Sequence, residues 1–438
     1  MKLIGKVLQS NTFFSLLGNG LSAIMGLVLF RLLATNFTQE DLGRWQVFIV
    51  GFALMDVIRS GLLQNGLITR YAKAKSDNER QTLQGSAWYM ALISSIVLII
   101  LCWVTGIIFY LIHYQQESIN MVVIFLPLTT VLSLPGTMGT FILNALGKIK
   151  LMVWVRISIQ IIFLSGVYFS NNYSLNNVAI WFVGGYLVSG IVSMLMGWTN
   201  PMLVKHKNKE TLKDLTNFGK YSMGTSVGSI MLRSSDIFLL GSFLGPASVA
   251  IYAVAQKLVE IVEMPMRSFT QAVIPKLAHL YQLNEKEAFK LEFERNAGLL
   301  FWMVFPLCLI CFLFPYELVG LLGGSKYDES AEVLRLFSVY MALMPLDRYT
   351  GIGMDLMNVP EANFKKVNLQ LLVNIIGDIS VILLFASVWW VGFVSIFTYG
   401  SGILLGMRVL KKEGDINVLR SLSSGLRFIF GTLKTNKS

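Results

Sequence analysis

The hydrophobic residues of this chain form long continuous runs, separated by short stretches that hold charged and turn-forming residues. A bilayer core about 30 Å thick requires roughly 20 mainly apolar residues per helix, because every backbone polar group must be bonded within the segment. The runs do not alternate between apolar and polar positions, so they predict membrane helices and not the strands of a β-barrel. Twelve spans are predicted: Asn11–Ala34, Leu42–Ile68, Leu83–Ile112, Ile119–Leu146, Ile149–Phe169, Asn177–Asn200, Leu215–Phe243, Ala247–Pro275, Ala297–Tyr316, Ser330–Asn358, Lys365–Val388 and Trp389–Leu410.

The positive charge between the spans predicts their orientation. Lys and Arg accumulate on the cytoplasmic side of membrane proteins. If the N-terminus is cytoplasmic, every loop rich in Lys or Arg falls inside, and the outer loops hold only Lys326. This pattern predicts an even number of spans with both termini in the cytoplasm.

The composition supports a membrane protein and excludes a nucleic-acid-binding protein. Hydrophobic residues make up 54% of the chain and charged residues 14%, whereas soluble domains carry about 25% charged residues. The net charge of +11 is distributed over the inner loops, so it is a topology signal and not a basic surface for nucleic acid.

An internal repeat predicts two six-helix halves. A shift of 207 residues places Leu33–Val47 on Leu240–Val254 and aligns Trp45 with Tyr252. Six spans per half preserve orientation, so the repeats are parallel and enclose a central cavity, as in transporters. The predicted division is an N-terminal lobe (1–200), a basic cytoplasmic linker (201–214), a C-terminal lobe (215–410) and a cytoplasmic tail (411–438) that forms an amphipathic helix on the inner leaflet.

Three short motifs resemble one transporter family. The first span ends in Arg31-Leu32-Leu33-Ala34, the second begins with Asp41-Leu42-Gly43-Arg44-Trp45, and it ends in Leu67-Ile68-Thr69-Arg70-Tyr71-Ala72. With the twelve-span plan, they resemble polysaccharide (oligosaccharide) flippases of the multidrug/oligosaccharidyl-lipid/polysaccharide exporter superfamily. The family often has an acidic residue directly before a glycine late in the second span, whereas Arg59 here lies between Asp56 and Gly61.

The resemblance implies a flippase of the bacterial cytoplasmic membrane. Its expected substrate is a polyprenyl-pyrophosphate-linked oligosaccharide, carried from the inner to the outer leaflet by alternating access for O-antigen or capsule-type polysaccharide. The expected partners are this lipid-linked glycan, membrane lipids, and a glycan polymerase or other assembly proteins, without nucleic acid. No cofactor, metal or catalytic residue is expected.

Charged residues inside the spans are candidates for the transport site. A charge at mid-bilayer costs about 2.5–3.5 kcal/mol, so it usually faces a bundle interior or a wet cavity. Arginine grips phosphate oxygens through a planar fork, so several basic side chains together would match a pyrophosphate. The predicted substrate-binding residues are Arg31, Arg59, Arg156, Arg233, Lys257 and Arg267.

Most of these cations have a carboxylate within one helical turn. Side chains three or four positions apart meet on a helix, which predicts the pairs Asp56–Arg59, Arg233–Asp236, Lys257–Glu260 and Glu263–Arg267. Arg31 and Arg156 have no acid at such a spacing and are the strongest candidates for an anion site. Asp378 and Asp355 likewise have no base at such a spacing, so a proton or sodium ion could bind them. The full set for ion coupling is Asp56, Asp236, Glu260, Glu263, Asp355 and Asp378.

Two other functions fit the same sequence features less well. An ion-coupled multidrug exporter of the same superfamily would use an acidic, aromatic pocket, and the acidic second half keeps this alternative open. A membrane-embedded glycan ligase or polymerase needs reactive groups in outer loops, which are short here. The absence of a GxxxxGK motif excludes ATP hydrolysis by the chain itself.

Overall fold

A computed structural model describes residues 11–111 and 116–435, and all regular structure in these residues is helical. Ile112, the predicted end of the third span, lies outside them, as do residues 1–10 and 436–438 at the ends of the predicted lobes. Short 3-10 turns lie at Pro201–His206 and Ser325–Tyr327. The α-helices are α1 (Asn11–Asn36), α2 (Gln39–Lys73), α3 (Asp77–Leu111), α4 (Gln116–Leu132), α5 (Leu134–Ala145), α6 (Ile149–Ser170), α7 (Leu175–Leu195), α8 (Lys209–Phe243), α9 (Pro246–Gln282), α10 (Lys286–Leu313), α11 (Pro315–Gly323), α12 (Glu329–Leu356), α13 (Pro360–Phe385), α14 (Val388–Gly414) and α15 (Val418–Thr435).

Nine segments of the described residues are long and apolar enough to cross a membrane. Helices α8, α9 and α12, which contain the three remaining predicted spans, have 35, 37 and 28 residues. They are long enough to cross, but the predicted intramembrane charges of the second half are concentrated in them and lower their apolar content. The helical, multi-pass character is therefore confirmed, and the exact number of twelve spans stays a prediction.

The described residues form two compact units, one ending at Ile230 and the other beginning at Met231. The division falls inside α8. The predicted lobe boundaries, and the repeat on which they rest, stay predictions.

In the first unit an aromatic cluster orients α2. Trp45, Phe48 and Phe52 point from one face of this helix toward Phe182 of α7, with ring centroids 5.5–5.7 Å from it. The same face continues through Asp56 and Arg59 at helical spacing. Burial of the aromatic rings, which is among the larger sources of packing energy in a core, thus places Arg59 toward the interior of the unit.

The predicted fourth span is divided into two helices. Helix α4 ends at Leu132 and α5 begins at Leu134, with Ser133 between them and Pro135 in the first turn of α5. Proline has no backbone N–H and its ring crowds the preceding turn, so the helix breaks there. The break leaves carbonyl groups at the end of α4 that need other donors.

In the second unit the C-terminal helix α15 is docked against α10. A Cβ atom on Gly298 would lie 1.9 Å from the carbonyl oxygen of Ser421, so the two backbones approach as closely as glycine allows. The indole N–H of Trp302 donates to the Leu422 carbonyl at 2.9 Å, and the Arg295 guanidinium lies 3.9 Å from the Phe428 ring centroid. One face of this helix therefore contacts protein, while Arg420 and Arg427 are exposed.

Substitution of Gly298 by alanine should release α15. The new methyl group would overlap the Ser421 carbonyl, and overpacking of this kind costs about 1–3 kcal/mol. We expect faster proteolysis within residues 415–435 and a lower thermal midpoint of the purified protein. Gly400→Ala is the matched control, because nothing lies within 4 Å of a Cβ there. Equal protease resistance of both variants would show that this contact does not hold the helix.

Candidate functional site

Arg59 joins α2 to the break between α4 and α5. Its side chain is 2% exposed, and it forms an ion pair with Asp56, as the spacing predicts. Nη1 donates to the Thr130 carbonyl at 2.8 Å, and Nη2 donates to Ser133 Oγ at 3.1 Å. The guanidinium thus satisfies a carbonyl that the helix break leaves near its end. This role stabilises the first unit, and a buried paired group has little capacity left for substrate.

Arg156 on α6 is a different kind of cation. It is exposed, and among the described residues it forms no hydrogen bond or ion pair. It nevertheless interacts electrostatically with Asp56, whose side chain is 37% exposed. Tyr186, which packs against Phe52, interacts with the same carboxylate. Asp56 therefore forms an ion pair with Arg59 and also attracts Arg156. The N–H donors of the Arg156 guanidinium have no acceptor among the described residues.

Arg31 lines another part of the first unit. It is exposed on α1 and borders a groove of about 450 Å³ whose lining does not include Arg59 or Arg156. The structure therefore separates Arg31 from the group around Asp56.

In the second unit, α8 and α9 carry a ladder of ion pairs. Three of the cations predicted from sequence are included, and the ladder connects Arg233 to Glu260 (3.1 Å) and Glu263 (3.6 Å), Lys257 to Glu260 (2.8 Å), and Arg267 to Glu263. The two pairs within α9 confirm the helical-spacing prediction. The predicted pair Arg233–Asp236 was wrong, because Arg233 turns across to α9. Three cations share two carboxylates, which leaves one net positive charge on a half-exposed surface.

Asp236 lies deeper in the second unit beside Asp378. Asp236 accepts a hydrogen bond from the Tyr252 hydroxyl and interacts electrostatically with Asp378. Asp378 is fully buried; Asn374 donates to its Oδ2 at 3.1 Å, and its Oδ1 has no hydrogen-bond partner among the described residues. Two acidic side chains this close in a buried site form a place where a proton or a cation can bind. The predicted coupling residue Asp378 therefore has a second carboxyl as its neighbour.

A small enclosed cavity connects these two groups within the second unit. Its volume is about 50 Å³, enough for a few water molecules. Arg233, Glu260 and Glu263 line one part of it, and Asp236 and Asn374 line another. The ion-pair ladder and the Asp236 side chain therefore border the same small polar cavity.

Sequence reasoning missed a buried polar stripe on α13. Lys366, Gln370, Asn374 and Asp378 follow one another at intervals of four and are all nearly inaccessible. Lys366, at the start of the predicted span Lys365–Val388, donates to Asp347 Oδ1 at 2.8 Å and to Thr350 Oγ1 at 3.0 Å. The four-residue interval of polar side chains in an apolar span is a signal that could have found this stripe.

Asp355, the other predicted coupling carboxylate, lies in a different environment. It is exposed at the end of α12 and accepts a hydrogen bond from Asn363 Nδ2 at 3.0 Å. An exposed carboxylate lacks the desolvation that would couple it to an ion gradient.

In the first unit, Arg70 at the end of α2 binds Asp214 of α8 through two nitrogen atoms. This hydrogen bonding holds the pKa of the Asp214 carboxyl below its usual range. The contribution of the pair to stability is present above the ordinary Asp pKa and is lost as the pH falls through the lowered value. The pair is solvent-exposed, so its effect is small.

Helical spans, intramembrane cations and a buried carboxyl pair define a multi-pass membrane transporter, and the comparisons with known proteins identify its family. A model described as "Polysaccharide biosynthesis protein" matches residues 28–332. Since this match covers more than half of the chain, the chain belongs to this family.

Two curated relatives have low sequence identity. The chain is 22% identical over 225 residues to a probable low-salt glycan biosynthesis flippase, Agl15, of Haloferax volcanii, and this match covers 48% of each protein. The matched region thus spans about half the length of that relative. An uncharacterized membrane protein of Methanocaldococcus jannaschii is 21% identical over 350 residues, covering 75% of this chain and 68% of that protein.

Two solved structures share the fold. An inward-facing multidrug resistance MATE family transporter superposes with a TM-score of 0.75 at 15% identity, covering 89% of this chain and 95% of that one. The lipid II flippase MurJ in an inward closed conformation gives 0.73 at 15% identity, covering 96% and 91%. At this identity the likeness establishes the architecture alone.

Proposed function

We propose that this chain is a flippase that carries a polyprenyl-pyrophosphate-linked oligosaccharide from the inner to the outer leaflet by alternating access. Family membership and the name of the Haloferax volcanii relative support a lipid-linked glycan as the substrate class. The observation that carries the proposal is Arg156, an exposed guanidinium in a membrane helix that has no bound carboxylate among the described residues. Its planar fork matches pyrophosphate oxygens. In surface polysaccharide assembly of the O-antigen or capsule type, a polymerase would use the delivered glycan.

We further propose that the basic residues act in two sets. In the first unit Arg156 binds the phosphate, while Arg59 fixes Asp56 and the helix break beside it. In the second unit the net positive ladder of Arg233, Lys257 and Arg267 supplies the other cations. Arg31 is left out of these sets because it lines a separate groove. Twelve spans in two parallel six-helix repeats, with the predicted lobe boundaries, both termini inside and a bacterial cytoplasmic membrane, belong to the same proposal.

Ion coupling at Asp236 and Asp378 would supply the driving force. A proton or a sodium ion that enters the carboxyl pair removes negative charge next to the cavity that Arg233, Glu260 and Glu263 line. The electrostatic potential at the ladder then becomes more positive, which favours binding of the pyrophosphate. Release of the ion reverses the change, so ion movement and phosphate affinity are linked.

The test is reconstitution of the purified protein in liposomes that contain a lipid-linked oligosaccharide with a polyprenyl pyrophosphate. The measured quantity is the fraction of glycan that a membrane-impermeant glycosidase cleaves over time. We expect this fraction to rise faster than in protein-free liposomes. With the protein present, it should rise more slowly when the same glycan is carried on a polyprenyl monophosphate than when it is carried on the pyrophosphate. Identical rates with and without protein would refute flipping.

An ion-coupled multidrug exporter is the second candidate. The partly exposed carboxylates Glu260 and Glu263 favour it, because they would attract a cationic drug. The same liposomes distinguish the two functions. Gradient-driven uptake of ethidium without translocation of the glycan would support the exporter and contradict the flippase.

A further inference from the structure

Helices α1 and α6 of the first unit leave a groove between them near their C-terminal ends, here called the Arg31 groove. The two helices are in close contact near the start of α6, where a Cβ on Gly18 would lie 2.3 Å from Val153 Cγ1. From Met25 and Ile161 onward they enclose about 450 Å³ of open volume. The lining residues are Met25, Val28, Arg31, Leu32, Thr35, Ile161, Leu164, Ser165 and Tyr168.

The groove is amphipathic along its length. Met25, Val28 and Ile161 make one end apolar, and Arg31, Thr35 and Tyr168 make the other end polar. The hydroxyls of Thr35 and Ser165 donate to carbonyls of their own helices. The Arg31 guanidinium is therefore the strong donor that the groove presents.

Arg31 has no acidic partner there. No Asp or Glu lines the groove, and among the described residues no ion pair of Arg31 is found. A charge without a counter-ion is costly in a membrane-facing surface, unless its head reaches the interface. Arg31 precedes the end of α1 by five residues, about 7 Å along the axis, and Tyr168 lies near the end of α6. Both side chains are thus at the depth of lipid headgroups, where aromatic residues are enriched.

We propose that the Arg31 groove binds one anionic phospholipid, with the headgroup phosphate on Arg31 and an acyl chain along Val28 and Ile161. The charge balance selects this occupant. One guanidinium matches the single negative charge of a phosphodiester through a bidentate contact. A pyrophosphate carries more charge and would need further cations, which the groove lacks. The predicted orientation places this lipid in the outer leaflet.

Native mass spectrometry of the detergent-solubilised protein tests the site without a transport assay. The probe is phosphatidylglycerol, with phosphatidylcholine as the zwitterionic comparison. We expect the wild type to retain phosphatidylglycerol through delipidation, and Arg31→Ala to bind it about ten-fold more weakly, because a charge-assisted bidentate contact is lost. Arg31→Lys should retain part of the affinity, since it keeps the charge but not the fork.

A second variant and a matched control complete the experiment. Val28→Trp fills the groove while Arg31 remains, and it should also release the lipid. Arg44→Ala removes another arginine near the same helix ends, but Arg44 is held by Glu40 and Asp41 at 3.1 Å each, so lipid retention should be unchanged.

Three results would overturn the proposal. In the first, Arg31→Ala retains as much phosphatidylglycerol as the wild type. In the second, Arg31→Ala and Arg44→Ala lose equal amounts of it. In the third, the wild type retains a polyprenyl pyrophosphate in place of phosphatidylglycerol. The first two results would not affect the proposed flippase function. The third would show that the groove binds the substrate of the flippase and not a phospholipid. Failure of glycan flipping would conversely leave the lipid measurement unaffected.

Discussion

Replacement of Arg156 by alanine is expected to lower the rate of glycan translocation about 100-fold and to leave the thermal midpoint nearly unchanged. The loss of two charge-assisted hydrogen bonds to phosphate accounts for a factor of this size. Stability should be preserved, because the exposed guanidinium has no bound partner among the described residues. The measurement is the initial rate of glycan exposure in the liposome assay, with equal amounts of reconstituted protein.

Two further variants make this result interpretable. Arg156→Lys should be intermediate, since an ammonium is a point charge without the planar fork. Arg335→Ala is the matched control: this arginine is also partly exposed, but Glu332 holds it at 2.7 Å, so translocation should be near wild type. A wild-type rate in Arg156→Ala would remove Arg156 from the substrate site. A parallel fall of the thermal midpoint would make its role structural.

Arg59 is a poor position for the same test. Its loss would remove the guanidinium that donates to the Thr130 carbonyl and pairs with Asp56, and Ser133 Oγ would remain as the donor to that carbonyl. Loss of a hydrogen bond from a charged group costs about 1.5–3 kcal/mol. Reduced activity there would report on folding as much as on substrate binding.

Asp378→Asn is expected to abolish the response of transport to an ion gradient. The amide has the shape of the carboxyl group but cannot take up a proton or balance a cation, so Asp236 loses the second acidic group with which it would bind the ion. Gradient-driven translocation should fall about ten-fold or more, while downhill exchange of glycan between leaflets continues. Imposed proton and sodium gradients, applied separately to wild type and variant, identify the ion.

Asp355→Asn supplies the matched control, because it makes the same chemical change at an exposed carboxylate. It should respond to the gradient as the wild type does. Coupling through Asp378 is disproved by an unchanged gradient response in Asp378→Asn. Loss of coupling in Asp355→Asn alone would move the ion site to the end of α12.

The local pairs illustrate what short-range pattern can predict. Asp56–Arg59, Lys257–Glu260 and Glu263–Arg267 form because residues three or four apart share a helix face whatever surrounds the helix. Arg233 has Asp236 at the same spacing, yet its partners Glu260 and Glu263 lie on another helix. The choice between a local and a remote carboxylate depends on how α8 is rotated about its axis relative to α9. The spacing of residues within one helix does not determine this rotation.

The buried stripe of α13 shows a second limit. Lys366 lies at the start of the predicted span Lys365–Val388, and its ammonium lies inside the second unit on Asp347 and Thr350. A lysine at a span end can extend outward to water or inward to a carboxylate. The presence of Asp347 on a neighbouring helix decides between these directions.

The sequence by itself determined that this is a helical multi-pass membrane protein, which segments are apolar enough to span, and which charges meet within one helix. These properties follow from the thickness of the bilayer and the period of the α-helix, and both act on short stretches of chain. Tertiary structure alone decided that Arg59 supports a helix break, that Arg31 lies apart from Arg156, and that Asp236 stands beside Asp378. Such neighbours come from distant positions in the chain, and packing of one helix face on another brings them together.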